Sequence, residues 1–355
     1  MDQRIVVGIV GYDKRVNVFH IPYLLCRQDR FLIRKIYTIG TDVEEREAEE
    51  NIQYTNRLID LIDDPEIDLI LVNTPIGTHE ELIWKILENR KHCIVEKPFV
   101  FTAIQAENLF RFAEEKGCVL QVYQNRRYDS DYLTLKRVLD SGFLGSLSEL
   151  ELCYENDYLI DSESSGFHLG YPGLYDCGAD VIDQIISLFG EPDDISYNIN
   201  AVQGAGHGND YLDIDLFYKG LKVSARAGCN CSEKRPGMRA IGSRGSYIKR
   251  GGNLQNAYLQ NGCNSDSAGF GTDRTENYGT LSYYEQNGTF HEEAVQSAVG
   301  DYGRFYDAVY ECIRLNGAMP VDPRETIQVY EILEEGLRQA YRHYPAANGG
   351  RNNYA

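Results

Sequence analysis

Three short stretches carry side chains whose types and spacing could do chemistry. In Cys93-Ile94-Val95-Glu96-Lys97-Pro98 an apolar run ends on a Glu-Lys-Pro triplet. A lysine and a glutamate at the end of a buried strand are costly unless paired or used. Such a lysine could hold a substrate hydroxyl and help move its proton, with Pro98 fixing the backbone, through a cis bond if the turn needs one. The triplet also fits an exposed loop charge pair. The second stretch, Asn73-Thr74-Pro75-Ile76-Gly77-Thr78-His79, follows IDLILVN and opens a helical pattern. Pro75 ends a strand there, and a hydroxyl such as Thr78 can cap the helix. The free amides of that helix start would favour a phosphate or ribose; a plain strand–helix connection reads the same way.

The third stretch, IVVGIVGYDKRVNVFH (5–20), begins as a buried strand entering a tight turn. A dinucleotide fingerprint starting at Gly11 would have glycines at 13 and 16, and the chain has Asp13 and Val16. A carboxylate in a pyrophosphate turn would repel phosphate unless it points outward. Lys14 and Arg15 could offset that charge or bind phosphate, or simply start a solvated helix.

These stretches must be positioned by elements, and 355 residues suggest two domains. Strands are expected at Ile5–Val10, Ile33–Ile39, Ile67–Asn73, His92–Val95 and Val119–Tyr123. Helical patterns lie between them at Glu44–Ile52, His79–Asn89 and Ala103–Lys116. Unbroken apolar strands alternating with helices indicate a doubly wound parallel sheet, an α/β domain with ligands at the carboxyl ends of its strands. After about residue 145 strands follow one another at Leu147–Tyr154, Asp194–Val202, Asp210–Tyr218, Leu221–Ala227 and Gly245–Lys249. Helices at Cys177–Phe189 and Pro323–Tyr341 complete an α+β domain with a large, mainly antiparallel open sheet. The expected division is 1–124, 125–345 and a disordered tail at 346–355. Gly251–Arg274 reads as a long surface loop.

A formal charge of −19 argues against nucleic acid or an anionic membrane as partner. No apolar run approaches the roughly 20 residues of a bilayer span, and an early first strand leaves no room for a signal peptide, so a cytoplasmic protein is expected. The nine cysteines are spread along the chain without a CxxC pair. Cys229, Cys231 and His207 make only a loose metal suggestion, so no metal is expected and the thiols are read as reduced. Of 26 tyrosines, Tyr154, Tyr158, Tyr171 and Tyr175 fall in the expected second domain. Their rings suit sugars, and equally sheets and interfaces.

Together these residues resemble the Gfo/Idh/MocA oxidoreductases, the family of glucose–fructose oxidoreductase and inositol dehydrogenase. The likeness spans nearly the whole chain. It takes in the opening turn with Phe19-His20-Ile21-Pro22, DDPEIDLILVNTP (63–75), Thr78-His79 and Glu96-Lys97-Pro98. It continues through VYQNRRYDSDYLTLKRVL (122–139), LYDCGADVIDQIISLFGEP (174–192) and MPVDPRETIQVYEILEEGLR (319–338). Gln124-Asn125-Arg126-Arg127 resembles the branch of NADP-linked inositol dehydrogenases.

The resemblance implies a Rossmann domain that binds NAD or NADP and a second domain that carries substrate and subunit contacts. Carried over by position, Gly11, Tyr12, Asp13 and Lys14 lie at the pyrophosphate turn, and Thr38 near the adenosine ribose. Thr74, Pro75 and His79 line the nicotinamide half, with Glu96 and Lys97 beneath it. Arg126 and Arg127 are available to cofactor or substrate, and Tyr154 to substrate. Family members carry a catalytic Asp and His four residues apart on a helix of the second domain. Here the pair is Asp176 and Asp180, so the histidine has become an aspartate. A carboxylate replaces it only if burial or Asp176 raises one pKa; alternatively Lys97 moves the proton alone. His168 is a candidate stand-in, or a loop histidine. Thr38 removes the acidic ribose acceptor and favours NADP mildly.

The leading expectation is an NAD(P)-dependent oxidoreductase of a secondary alcohol or ketone on a sugar, polyol or inositol-like substrate, assembled as a homodimer or homotetramer. Catalytic roles fall on Lys97, Asp176 and Asp180. A non-catalytic nucleotide or sugar sensor is the alternative, and an NAD-recycling glycosidase a minor one.

Overall fold

The computed structural model describes residues 3–38, 52–155, 177–200, 202, 211–228, 235–251, 254–263 and 265–343. They form two compact units. One comprises 1–128, 254–271 and 301–327; the other comprises 129–253, 272–300 and 328–355. The sequence division at 124 has a single crossing, whereas the chain returns to the first unit twice.

The first unit is built on six parallel strands: β1 (Ile5–Val10), β2 (Phe31–Tyr37), β3 (Gln53–Thr55), β4 (Leu69–Val72), β5 (His92–Val95) and β6 (Leu120–Val122). Their spatial order is β3-β2-β1-β4-β5-β6. β4 is buried at all four positions, as expected of a strand covered on both faces. The order reverses between β1 and β4, and in such sheets the crevice outside the strand ends at that switch point receives the ligand. Gly11, Asn73 and Glu96 are the first residues past β1, β4 and β5.

The helix expected at His79–Asn89 runs His79–Glu88, and Ala103–Lys116 is found as expected. The latter starts where Thr102 and Gln105 exchange side-chain-to-backbone bonds and stops at Gly117, whose φ is +67°. Three residues only, β3 was not expected. The helix expected at Glu44–Ile52 lies outside the described residues except Ile52, which is buried and not helical.

Gly251–Arg274 corrects its reading as a surface loop. It contains a helix, Gln255–Gln260, and Leu259 and Phe270 enter the first unit's core beside Tyr302, Phe305, Tyr306 and Val321. Local propensity in this Gly- and Asn-rich stretch gives way to burial of a few large side chains.

The second unit carries eight strands: β7 (Leu147–Glu155), β8 (Asp194–Asn200), β9 (Tyr211–Tyr218), β10 (Leu221–Gly228), β11 (Met238–Gly242), β12 (Gly245–Lys249), β13 (Gly279–Tyr284) and β14 (Phe290–Val295). The order is β14-β13-β12-β11-β7-β10-β9-β8. Only β7 and β10 pair parallel; the other pairs are antiparallel. The mainly antiparallel sheet is therefore as expected. The helix Ala179–Phe189 is buried continuously from Ala179 to Ile186 and packs on β7 and β10. Lys249 is fully buried and binds Asp131 and Asp273, so two carboxylates meet one ammonium inside this unit. The tail 346–355 lies outside the described residues.

Candidate active site

The turn after β1 is closed by one glycine and one carboxylate. Gly11 has φ +94°, and a Cβ there would lie 1.9 Å from the Asn73 carbonyl oxygen. Only glycine fits. The chain then becomes helical at Lys14, with a π-helical segment at Val16–His20 and an α-helical one at Ile21–Leu25. Asp13 does not simply point outward. Its Oδ1 accepts the backbone N–H of Arg15 (2.8 Å) and of Val16 (3.1 Å), and the side-chain amide of Asn73 (2.9 Å). The carboxylate therefore ties the first free amides of the helical segment to the end of β4.

The Glu-Lys-Pro triplet is buried, which sets aside the exposed-loop reading. Glu96 and Lys97 are each 8 % exposed, and the Lys97–Pro98 bond is cis. Lys97 Nζ donates to Asn125 Oδ1 at 3.2 Å, just beyond β6. Both carboxylate oxygens of Glu96 are used. Oε2 accepts the Lys97 backbone N–H at 3.0 Å, and Oε1 faces His20 Nε2 at 2.6 Å. Burial alone would raise the Glu96 pKa, but its bond and charge interaction with His20, together with Lys97 and Arg15, bring it down to about 2. An ionised Glu96 can only accept, so His20 Nε2 carries the proton. His20 Nδ1 lies 2.6 Å from the Tyr306 hydroxyl, which burial keeps protonated well above its usual range. His20 thus bridges the Glu96 carboxylate and the Tyr306 hydroxyl.

His20 and Tyr306 escaped the sequence reading as site residues. His20 sits inside the quoted Phe19-His20-Ile21-Pro22 without a role, and its signal was a histidine four residues after an apolar helix position. Tyr306 lies 286 residues downstream, and no local pattern connects the two.

His79 is buried with both ring nitrogens facing backbone carbonyls, Nε2 to Thr74 (2.7 Å) and Nδ1 to Phe99 (3.0 Å). Burial lowers its pKa, so the ring is neutral and donates once. It stitches the turn after β4 to the turn after β5. Thr78 does not cap the following helix: its hydroxyl donates to the Pro75 carbonyl at 2.8 Å and lies 2.7 Å from that of Thr74. Thr38 is buried and its N–H donates to Thr55, while Tyr12 meets Tyr54 edge-on. Arg126 and Arg127 share the short turn Asn125–Tyr128, where Arg127 pairs with Glu325 at 2.7 Å.

In the second unit Asp180 is 6 % exposed in the first turn of its helix, and Asp183 and Gln184 are buried behind it. Tyr154 on β7 donates to Gln184 Oε1 at 2.6 Å. These two polar residues in an apolar helix were the signal the sequence offered and the reading passed over. Asp176, His168, Tyr158, Tyr171 and Tyr175 lie outside the described residues, as do Cys229, Cys231 and His207. Among the described residues no group of three or more His, Cys, Asp or Glu could hold a metal ion.

The first unit fits a dinucleotide at most points. Gly11 lets backbone and ligand approach closely, and the buried Gln124 Nε2 just past β6 has no partner among the described residues. Asp13 is the exception. Residues 5–124 match the Gfo/Idh/MocA model described as an NAD-binding Rossmann fold, and residues 168–345 match its C-terminal alpha/beta domain. The chain belongs to the Gfo/Idh/MocA oxidoreductase family. As a member, it contains an NAD-binding Rossmann domain suited to NAD or NADP. It is 34 % identical to the Escherichia coli oxidoreductase YhhX, covering 94 % of this chain and 96 % of that one. To the Bacillus subtilis scyllo-inositol 2-dehydrogenase (NADP(+)) IolW it is 33 % identical, covering 94 % and 93 %. The triclinic crystal structure of yhhX superposes with TM-score 0.88 at 33 % identity, covering 95 % and 97 %. The family is one of oxidoreductases, and this chain is an enzyme of that class.

Proposed function

We propose that this enzyme is an NADP-preferring dehydrogenase of a secondary alcohol on a polyol, sugar or inositol-like substrate, cytoplasmic and homodimeric or homotetrameric. In this reading residues 1–124 hold the cofactor, and residues 125–345 carry substrate and subunit contacts. The observation that carries it is a buried Lys97 at the end of β5, held by Asn125 beside an ionised Glu96. The likeness to IolW supports the inositol-like substrate and NADP, and Thr38 in place of an acidic residue supports NADP again.

When bound, the nicotinamide would take or give the hydride of the carbinol carbon. Lys97 holds the substrate oxygen and passes its proton. Glu96 keeps the neighbouring charge fixed, and His20 with Tyr306 keeps Glu96 fixed. Thr74, Pro75 and His79 shape the nicotinamide side, Gly11, Tyr12 and Lys14 the pyrophosphate side, and Arg126 the cofactor contact near β6. Asp176 and Asp180 orient substrate hydroxyls, with Arg127, Tyr154 and His168 as further substrate contacts.

The test is a fluorescence titration with NADPH and NADH, followed by turnover on a panel of inositols, polyols and sugar alcohols. NADPH binding and reduction of NADP by one of these alcohols are expected. Absence of binding by either cofactor up to millimolar concentration overturns the reading.

A further inference from the structure

In a dinucleotide-binding turn the diphosphate normally takes the free amides at the start of the first helix. Here those of Arg15 and Val16 already have an anion. Asp13 Oδ1 holds both, and takes the Asn73 side-chain amide as a third donor. Asp13 itself is exposed, so its charge stands at the surface of the turn rather than being buried and neutralised. The whole chain adds a formal −19 to the background.

We propose that Asp13 is a built-in anion that competes with the diphosphate of the dinucleotide and weakens the hold of this turn on it. The inference rests on the reading that this unit binds a nicotinamide dinucleotide. Two effects act together. The carboxylate occupies two amides that would otherwise grip phosphate oxygens, and it repels the phosphate charge across a partly screened distance.

Two substitutions separate them. Asp13→Asn keeps an oxygen for the three donors and removes the charge. Asp13→Gly removes both and frees the amides. NADPH and NADH are titrated by fluorescence into the wild type and both variants at low and high salt, with adenosine 2′-phosphate as a ligand lacking the diphosphate. The expected result is several-fold tighter dinucleotide binding by Asp13→Asn at low salt, a gap that narrows as salt screens the charge. Asp13→Gly should bind at least as tightly, and adenosine 2′-phosphate should not discriminate among the three. A gain in Asp13→Gly alone assigns the effect to the occupied amides and still supports the proposal. If Asp13→Gly does not fold, Asp13→Asn decides. Unchanged dinucleotide affinity in the folded variants, with the wild type binding, overturns the inference and leaves the function intact. Failure of all three to bind either dinucleotide overturns the function as well.

Discussion

His20 Nε2 lies 2.6 Å from Glu96 Oε1, in a core where His20 is fully buried. This contact joins the helical segment after β1 to the turn after β5, so the Gly11–Asp13 turn and Lys97 share one support. Removing either partner strands the other's polar atoms in a low-dielectric core.

Glu96 gives that support a pH dependence. Its pKa falls from the ordinary 4.5 to about 2 on folding, so it binds its proton more weakly in the native state. The stabilisation is present above about 4.5 and is lost as pH falls through about 2. Its full size is on the order of 3 kcal/mol. Urea unfolding of wild type and Glu96→Gln between pH 2 and pH 6 should show the wild-type advantage shrinking towards the acid end. A constant difference across that range would refute the assignment.

Lys97→Met should abolish turnover while leaving NADPH affinity within about threefold, since methionine keeps the stem and loses the proton carrier. Full activity of this variant with an established substrate would remove Lys97 from the chemistry.

Asp180→Asn discriminates between two proton carriers. If Lys97 works alone, the loss should be roughly 10- to 100-fold, that of an orienting contact, below the roughly 100- to 10,000-fold of a general acid–base. A loss equal to that of Lys97→Met, with a displaced pH–rate profile, would instead make Asp180 the base.

Gly11→Ala places a Cβ against the Asn73 carbonyl at a φ that alanine disfavours. A stability loss of roughly 2–4 kcal/mol is expected, with weakened cofactor binding. Thermal melts with and without NADPH would measure both.

What the sequence disclosed was local. β1, β5 and the helix Ala103–Lys116 were legible to the residue because apolar runs and caps sit next to each other in the chain. β14 was missed because Phe290–Val295 is exposed at four of its six positions, buried at none, and lacks an alternating apolar face. The Glu-Lys-Pro triplet was visible as a motif, but not the bond that fixes it, since His20 lies 76 residues from Glu96. At Asp13 two donors are local, the N–H groups of Arg15 and Val16 at the start of the helical segment, and only the fold adds the third, Asn73 from the end of β4.

The late return of residues 254–271 and 301–327 to the first unit sets an order for synthesis. Gln121 waits for Val321, whose N–H and carbonyl it engages 200 residues downstream, and His20 waits still longer for Tyr306. A nascent chain that has just emitted β6 therefore has every strand of its nucleotide sheet and lacks the aromatic wall of Tyr302, Phe305 and Tyr306 that closes its core. The exposed apolar face must be shielded until nearly the last helix leaves the ribosome. The first unit is thus completed only when most of the chain, through residue 327, has been made.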